Sequence, residues 1–102
     1  MADPAPDLLG ALQRWYESHT DGDWEHSWGV RIETLDNPGW SVTINLEDTE
    51  LEGRPFVEVS DMAPERDWYI CRVVDARFEG HGGPLMLGHI IQTFLDWAAT
   101  DG

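Results

Sequence analysis

Lysine is absent from the sequence, and cysteine occurs once, as Cys71. A lone cysteine cannot close an intramolecular disulfide, and no cysteine pair or quartet is present to hold zinc, so a reducing compartment is the simplest home. Long apolar runs are missing as well. No stretch reaches membrane-spanning length, and Met1-Ala2-Asp3-Pro4-Ala5-Pro6-Asp7 carries no basic segment followed by an apolar one, so neither an anchor nor a secretory leader is expected. The chain reads as cytoplasmic. Positive charge is scarce: six bases, all arginine, stand against 20 acids, for a formal charge of -14. That excess repels phosphate backbones and anionic membranes, which argues against nucleic-acid and membrane partners, and it attracts cationic surfaces. A basic protein partner is the natural complement, although solubility or adaptation to salt would produce the same composition.

What is present describes a packed globular domain. The apolar fraction of 41% and aromatic fraction of 11% over 102 residues suit one hydrophobic core, with no room for a second. Residues 1–7 read as a flexible tail and residues 8–100 as a single domain. Asp7 can cap a helix over Leu8 to Ser18, where Leu8, Leu9, Leu12, Trp15 and Tyr16 fall on one face. Alternation from Trp28 to Thr34 and from Trp40 to Leu46, around the turn Asp36-Asn37-Pro38-Gly39, predicts a β-hairpin. Phe56, Val57 and Val59 suggest a short strand, and Trp68 to Phe78 a longer one. Gly80, Gly82 and Gly83 are expected to break that strand and allow a reversal, with Pro84 in the first turn of a helix ending near Ala99. The predicted fold is α+β: about four antiparallel strands, with the N- and C-terminal helices packed on one face.

Candidate sites have competing explanations. Asp21, Asp23, Glu25 and His26 resemble the opening of a calcium loop, but the sixth position is His26 and the twelfth Ile32, where glycine and a bidentate Glu are needed. A turn whose carboxylates accept backbone hydrogen bonds fits better, and no metal or other cofactor is expected. Glu25 beside His26 could form an acid–base pair, which keeps a small enzyme, with or without a divalent metal, as an alternative. His19, His81 and His89 match no nucleophile or zinc pattern. Gly80-His81-Gly82-Gly83 lacks the Lys and the Ser or Thr of a phosphate loop. Trp15 and Trp97 belong with the helical stripes. Trp24, Trp28 and Trp40 suit either the core or an interface anchored by aromatic side chains. Between Glu47 and Asp67, eight acids stand against two bases, a local charge of -6. The segment from Glu47 to Glu52 is either a solvated loop or the leading contact for a cationic partner.

Three stretches carry a family likeness: Leu12-Gln13-Arg14-Trp15-Tyr16, Gly22-Asp23-Trp24-Glu25-His26-Ser27-Trp28-Gly29-Val30 and Thr34-Leu35-Asp36-Asn37-Pro38-Gly39-Trp40. In this order and spacing they resemble the immunity protein 53 family of bacterial polymorphic toxin systems. Asp48-Thr49-Glu50-Leu51, Asp67-Trp68 with Cys71, and Phe78 fit the same pattern, so the likeness spans roughly Leu9 to Trp97. The resemblance implies a non-enzymatic antitoxin, encoded beside a toxin and neutralising it by binding. It carries no catalytic residues and does not say which face binds. Joined to the charge pattern, it makes Asp21, Asp23, Trp24, Glu25, His26, Trp28, Asp36, Trp40, Glu47, Asp48, Glu50 and Glu52 the candidate toxin-binding set. A monomer is expected, as is a basic toxin such as a nuclease; a free-standing acidic binding module is the remaining alternative.

Overall fold

The computed structural model describes residues 7–22, 24 and 29–100. Helix α1 spans Leu8–Ser18, strands β1 to β5 span Val30–Leu35, Gly39–Asn45, Val59–Asp61, Tyr69–Val74 and Arg77–Gly82, and helix α2 spans Leu87–Ala98. Asp7 starts α1 as expected: its carboxylate accepts from the amide of Gly10 at 2.9 Å, filling one of the donors a helix start leaves open. The five strands form one antiparallel sheet in the order β1-β2-β5-β4-β3. Fold class and helix placement agree with the sequence expectation, and the sheet has five strands rather than about four.

The extra strand comes from dividing the predicted Trp68 to Phe78 segment. The chain reverses at Asp75 and Ala76, both at positive φ (52° and 59°), and β4 folds back against β5 with Val74 opposite Arg77. A second correction concerns the glycines. Gly80 does not break the strand but lies within the central strand β5, and Gly82 is its last residue, both facing α2, so the strand gives way only at Gly83. A Cβ at Gly80 would collide with the Ile90 side chain, and one at Gly82 would crowd Ile90 and Met86. Bare backbone there lets the helix approach the sheet closely. Pro84 also sits outside α2, in the turn that precedes it, and the helix starts at Leu87 with no side-chain cap.

Strand alternation sorts the remaining side chains. Val42 and Ile44 from β2, Phe78 from β5 and Cys71 from β4 point to the helix side, where they meet Leu12, Ile90, Ile91 and Phe94. Each is essentially removed from water, a burial that contributes about 1.5–3 kcal/mol for each large apolar side chain. Leu46 and Leu51 reach the same core from the connection that follows β2. The opposite face of the sheet carries no helix and presents Arg31, Thr43, Glu79 and Arg72 as one cross-strand row.

Candidate functional site

The connection Glu47 to Gly53 is acidic outside and anchored inside. Leu46 and Leu51 are buried, and the backbone between them is held by short-range bonds: Thr49 Oγ1 donates to the Leu46 carbonyl at 2.7 Å and accepts from the Leu51 amide at 3.1 Å. Buried Asn45 accepts from the Glu47 amide at 3.1 Å, and the Asp48 amide donates to the Glu52 carboxylate at 3.1 Å. Asp48 takes φ 64°, a conformation that Asp tolerates better than most residues. The outcome is an ordered turn from which Glu47, Asp48, Glu50 and Glu52 all reach solvent.

Helix α1 braces this turn through His19. The imidazole is mostly covered; its Nδ1 lies 2.7 Å from the Trp15 carbonyl and its Nε2 2.6 Å from Glu50 Oε2. When both nitrogens carry hydrogen the ring donates to the Trp15 carbonyl and to Glu50 at once, whereas in the neutral ring Nδ1 can accept from the Ser18 hydroxyl, 3.0 Å away. The ring also stacks on Trp15 at 4.3 Å between centroids, a further favourable contact for a cation. Burial opposes the charge, but the hydrogen bonds to Glu50 and Trp15 outweigh it, so the His19 pKa is raised. Burial likewise works against ionised Glu50, but the hydrogen bonds from His19 and from its own backbone amide, with the charges of His19 and Arg54, together outweigh it, so the Glu50 pKa is lowered.

Trp24 lies beneath this end of the molecule. At 4% exposure its indole is a packing element, edge-on to Trp15 at 5.7 Å and tilted on Tyr16 at 5.6 Å. That burial removes the Trp24 ring from the surface available to a partner in this conformation. Asp21 stays exposed while its carboxylate accepts from the Trp24 amide at 2.9 Å, the turn-capping role considered for this acidic segment. Asp23, Glu25, His26 and Trp28 lie outside the described residues. Asp36 and Trp40 belong to the other end of the hairpin, roughly 20 Å along β2 from Glu47. Trp40 is half-buried and donates its indole N–H to the Pro84 carbonyl at 2.9 Å, tying β2 to the turn before α2.

Folding brings one acid to the cluster that local sequence did not assign to it. The Leu46 amide donates to the Ala76 carbonyl at 2.9 Å, so the β4–β5 turn with exposed Asp75 stands beside Glu47. Only cross-strand pairing reveals this. Cys71 is buried, which pushes its thiol up to about 11 despite a hydrogen bond with Thr93, so it stays protonated at neutral pH. His81 lies inside β5, and the exposed His89 ring packs tilted against Tyr69 at 4.3 Å between centroids. Among the described residues no group of three or more His, Cys, Asp or Glu is placed to hold a metal, and no helix is long and apolar enough to cross a membrane.

Such geometry defines a small α+β domain with a fixed, solvent-exposed acidic turn after β2. The chain belongs to the immunity protein 53 family, whose model matches residues 9–99. Membership makes it an immunity protein, the class that binds a cognate toxin. No curated protein and no solved structure matches the chain.

Proposed function

We propose that this immunity protein inhibits a basic toxin domain by stoichiometric binding, without chemistry on the toxin, and that its acidic end makes the leading electrostatic contact. The observation that carries the reading is the fixed turn Glu47 to Glu52, whose exposed acids are joined by Asp75 and braced by His19. A prearranged array of like charge speeds encounter with a complementary surface and loses little entropy on docking. A nuclease suits this charge best, since its substrate-binding surface must itself be cationic. Inhibition then follows either from acids occupying the phosphate-binding surface or from docking beside it.

Co-expression with the toxin encoded next to this gene tests the proposal. Growth rescue, with a stable complex that co-purifies at physiological ionic strength, is the expected result. Failure to rescue or to associate would overturn it, and turnover of a small substrate by the purified protein would point to an enzyme instead.

A further inference from the structure

The acidic turn is followed by a segment that an electrostatic contact alone does not use. After Gly53 the chain is pinned at three places. The Arg54 guanidinium donates to the Thr100 carbonyl at 2.6 Å, the Pro55 carbonyl accepts from the Trp97 indole at 2.9 Å, and Phe56 packs edge-on to Trp97 and Phe78 at 5.1 and 5.8 Å. Beyond these anchors the chain becomes β3, one edge of the sheet, paired to β4 over Val59, Ser60 and Asp61 only.

Val57 is 84% exposed, Met62 59% and Val59 36%, with Glu58, Ser60 and Asp61 exposed between them. An edge strand offers unpaired backbone donors and acceptors on its outer side, and sequences commonly guard such edges with charge. Here the guards are acids. Antiparallel pairing of two copies about a two-fold between Val59 and Ser60 would set Glu58 of each opposite Asp61 of the other, within molecules already at -14. Like charges directly opposite one another across a strand pair are destabilising, so a second copy is a poor occupant. A strand bearing Lys or Arg at those positions turns the same repulsion into attraction.

We infer that the β3 edge, Val57 to Met62, is where a basic extended strand of the partner protein adds to the sheet. The inference rests on the basic partner proposed above and deepens it. Backbone hydrogen bonds supply affinity, exposed Val57 and Val59 supply apolar contact, and Glu58 and Asp61 select for cationic side chains. The anchors at Arg54, Pro55 and Phe56 hold the edge extended before the partner arrives, which lowers the ordering cost of pairing.

A short peptide of alternating Lys and Val, and the same peptide with alternate amides N-methylated, test this on the full chain without the toxin. The expected result is slowed backbone amide exchange confined to Val57–Met62 with the first peptide and none with the second, whose charge is equal but whose backbone cannot pair. The double variant Glu58→Lys, Asp61→Lys should weaken binding by about tenfold, the effect of turning two exposed charge pairs repulsive. Equal binding of both peptides, protection on β1 instead, perturbation of Glu47–Glu52 alone, a dimer closed through β3, or no binding would each overturn the inference. Growth rescue is a separate readout: rescue with an inert β3 edge sinks the strand-addition mode alone, whereas a pairing-competent edge without rescue sinks the proposal that the neighbouring basic toxin is the partner.

Discussion

Gly80 shows how one absent side chain positions a helix. It sits mid-strand in β5, where glycine weakens a strand, yet any side chain would meet Ile90, the Phe78 ring and the Cys71 sulfur. Gly80→Ala should therefore destabilise the fold by about 1–3 kcal/mol through overpacking, seen as a lower denaturation midpoint with an unchanged denaturant slope. Gly88, in the first turn of α2, is the opposite case: an added Cβ makes only ordinary contact with Leu8 at 3.5 Å. Gly88→Ala should stabilise by up to about 1 kcal/mol. Equal effects at the two sites would disprove the close-approach explanation. From sequence, Gly80 and Gly82 read as strand breakers because the local signal of a glycine is the same in a turn and under a packed helix. What distinguishes them is Ile90 and Met86, which lie farther along the chain. Trp24 carries the same lesson, since its indole could be assigned to core or surface only once Trp15 and Tyr16 were placed against it.

Among the elements, α1 and the β1–β2 hairpin were readable because cap, periodicity and turn chemistry agree locally: Asp7 with its apolar stripe, and Asn37-Pro38-Gly39 between alternating runs. The β4–β5 hairpin was not. Its turn residues, Asp75 and Ala76, include no glycine or proline, and Ala76 takes positive φ although alanine has no intrinsic preference for it. Tertiary pairing with β2 imposes that reversal. The joint between α1 and the Glu47–Glu52 turn was equally hidden, since His19 and Glu50 are 31 residues apart. It yields a pH prediction. Because the His19 pKa is raised, its contribution is complete below the ordinary histidine value of 6.5 and is lost as pH rises through the raised value. Because the Glu50 pKa is lowered, its contribution is complete above the ordinary value of 4.5 and is lost as pH falls through the lowered one. The joint is thus strongest between 4.5 and 6.5. Glu50 is half exposed, so solvent limits the pair to about 1 kcal/mol or less. Wild type should exceed Glu50→Gln in stability most at about pH 5.5, with the gap closing as pH rises through the raised His19 value. A gap independent of pH would show that the joint is not ionic.

Charge is a property of the whole molecule, and its placement matters more than its sum. Of the six arginines, Arg14 faces Asp7, Arg31 faces Glu33, Arg72 and Arg77 share Glu79, and Arg54 caps the end of α2, so five of the cations face an acceptor of this chain, while Arg66 is exposed. The acids of the Glu47–Glu52 turn and Asp75 meet solvent instead. Composition made the acidity evident. It could not divide the candidate residues between the two ends of β2, because that division depends on strand direction and register, which separate Asp36 and Trp40 from Glu47. A clean test of the acidic end must spare the Glu50 joint to α1 and the backbone conformation at Asp48. Glu50 braces α1, and Asp48 occupies a positive φ that Asn shares comfortably whereas Lys does not. The triple variant Glu47→Lys, Asp48→Asn, Glu52→Lys adds two, one and two charges, taking the formal value from -14 to -9 while leaving His19 and Glu50 paired. Its association rate with the toxin should fall on the order of tenfold at low salt, with a shallower dependence on ionic strength, while dissociation changes less. Stability should change little, since repulsion within the turn falls as one amide-to-carboxylate bond at Glu52 is lost. An association rate and salt dependence identical to wild type would place the toxin's first contact elsewhere on the molecule.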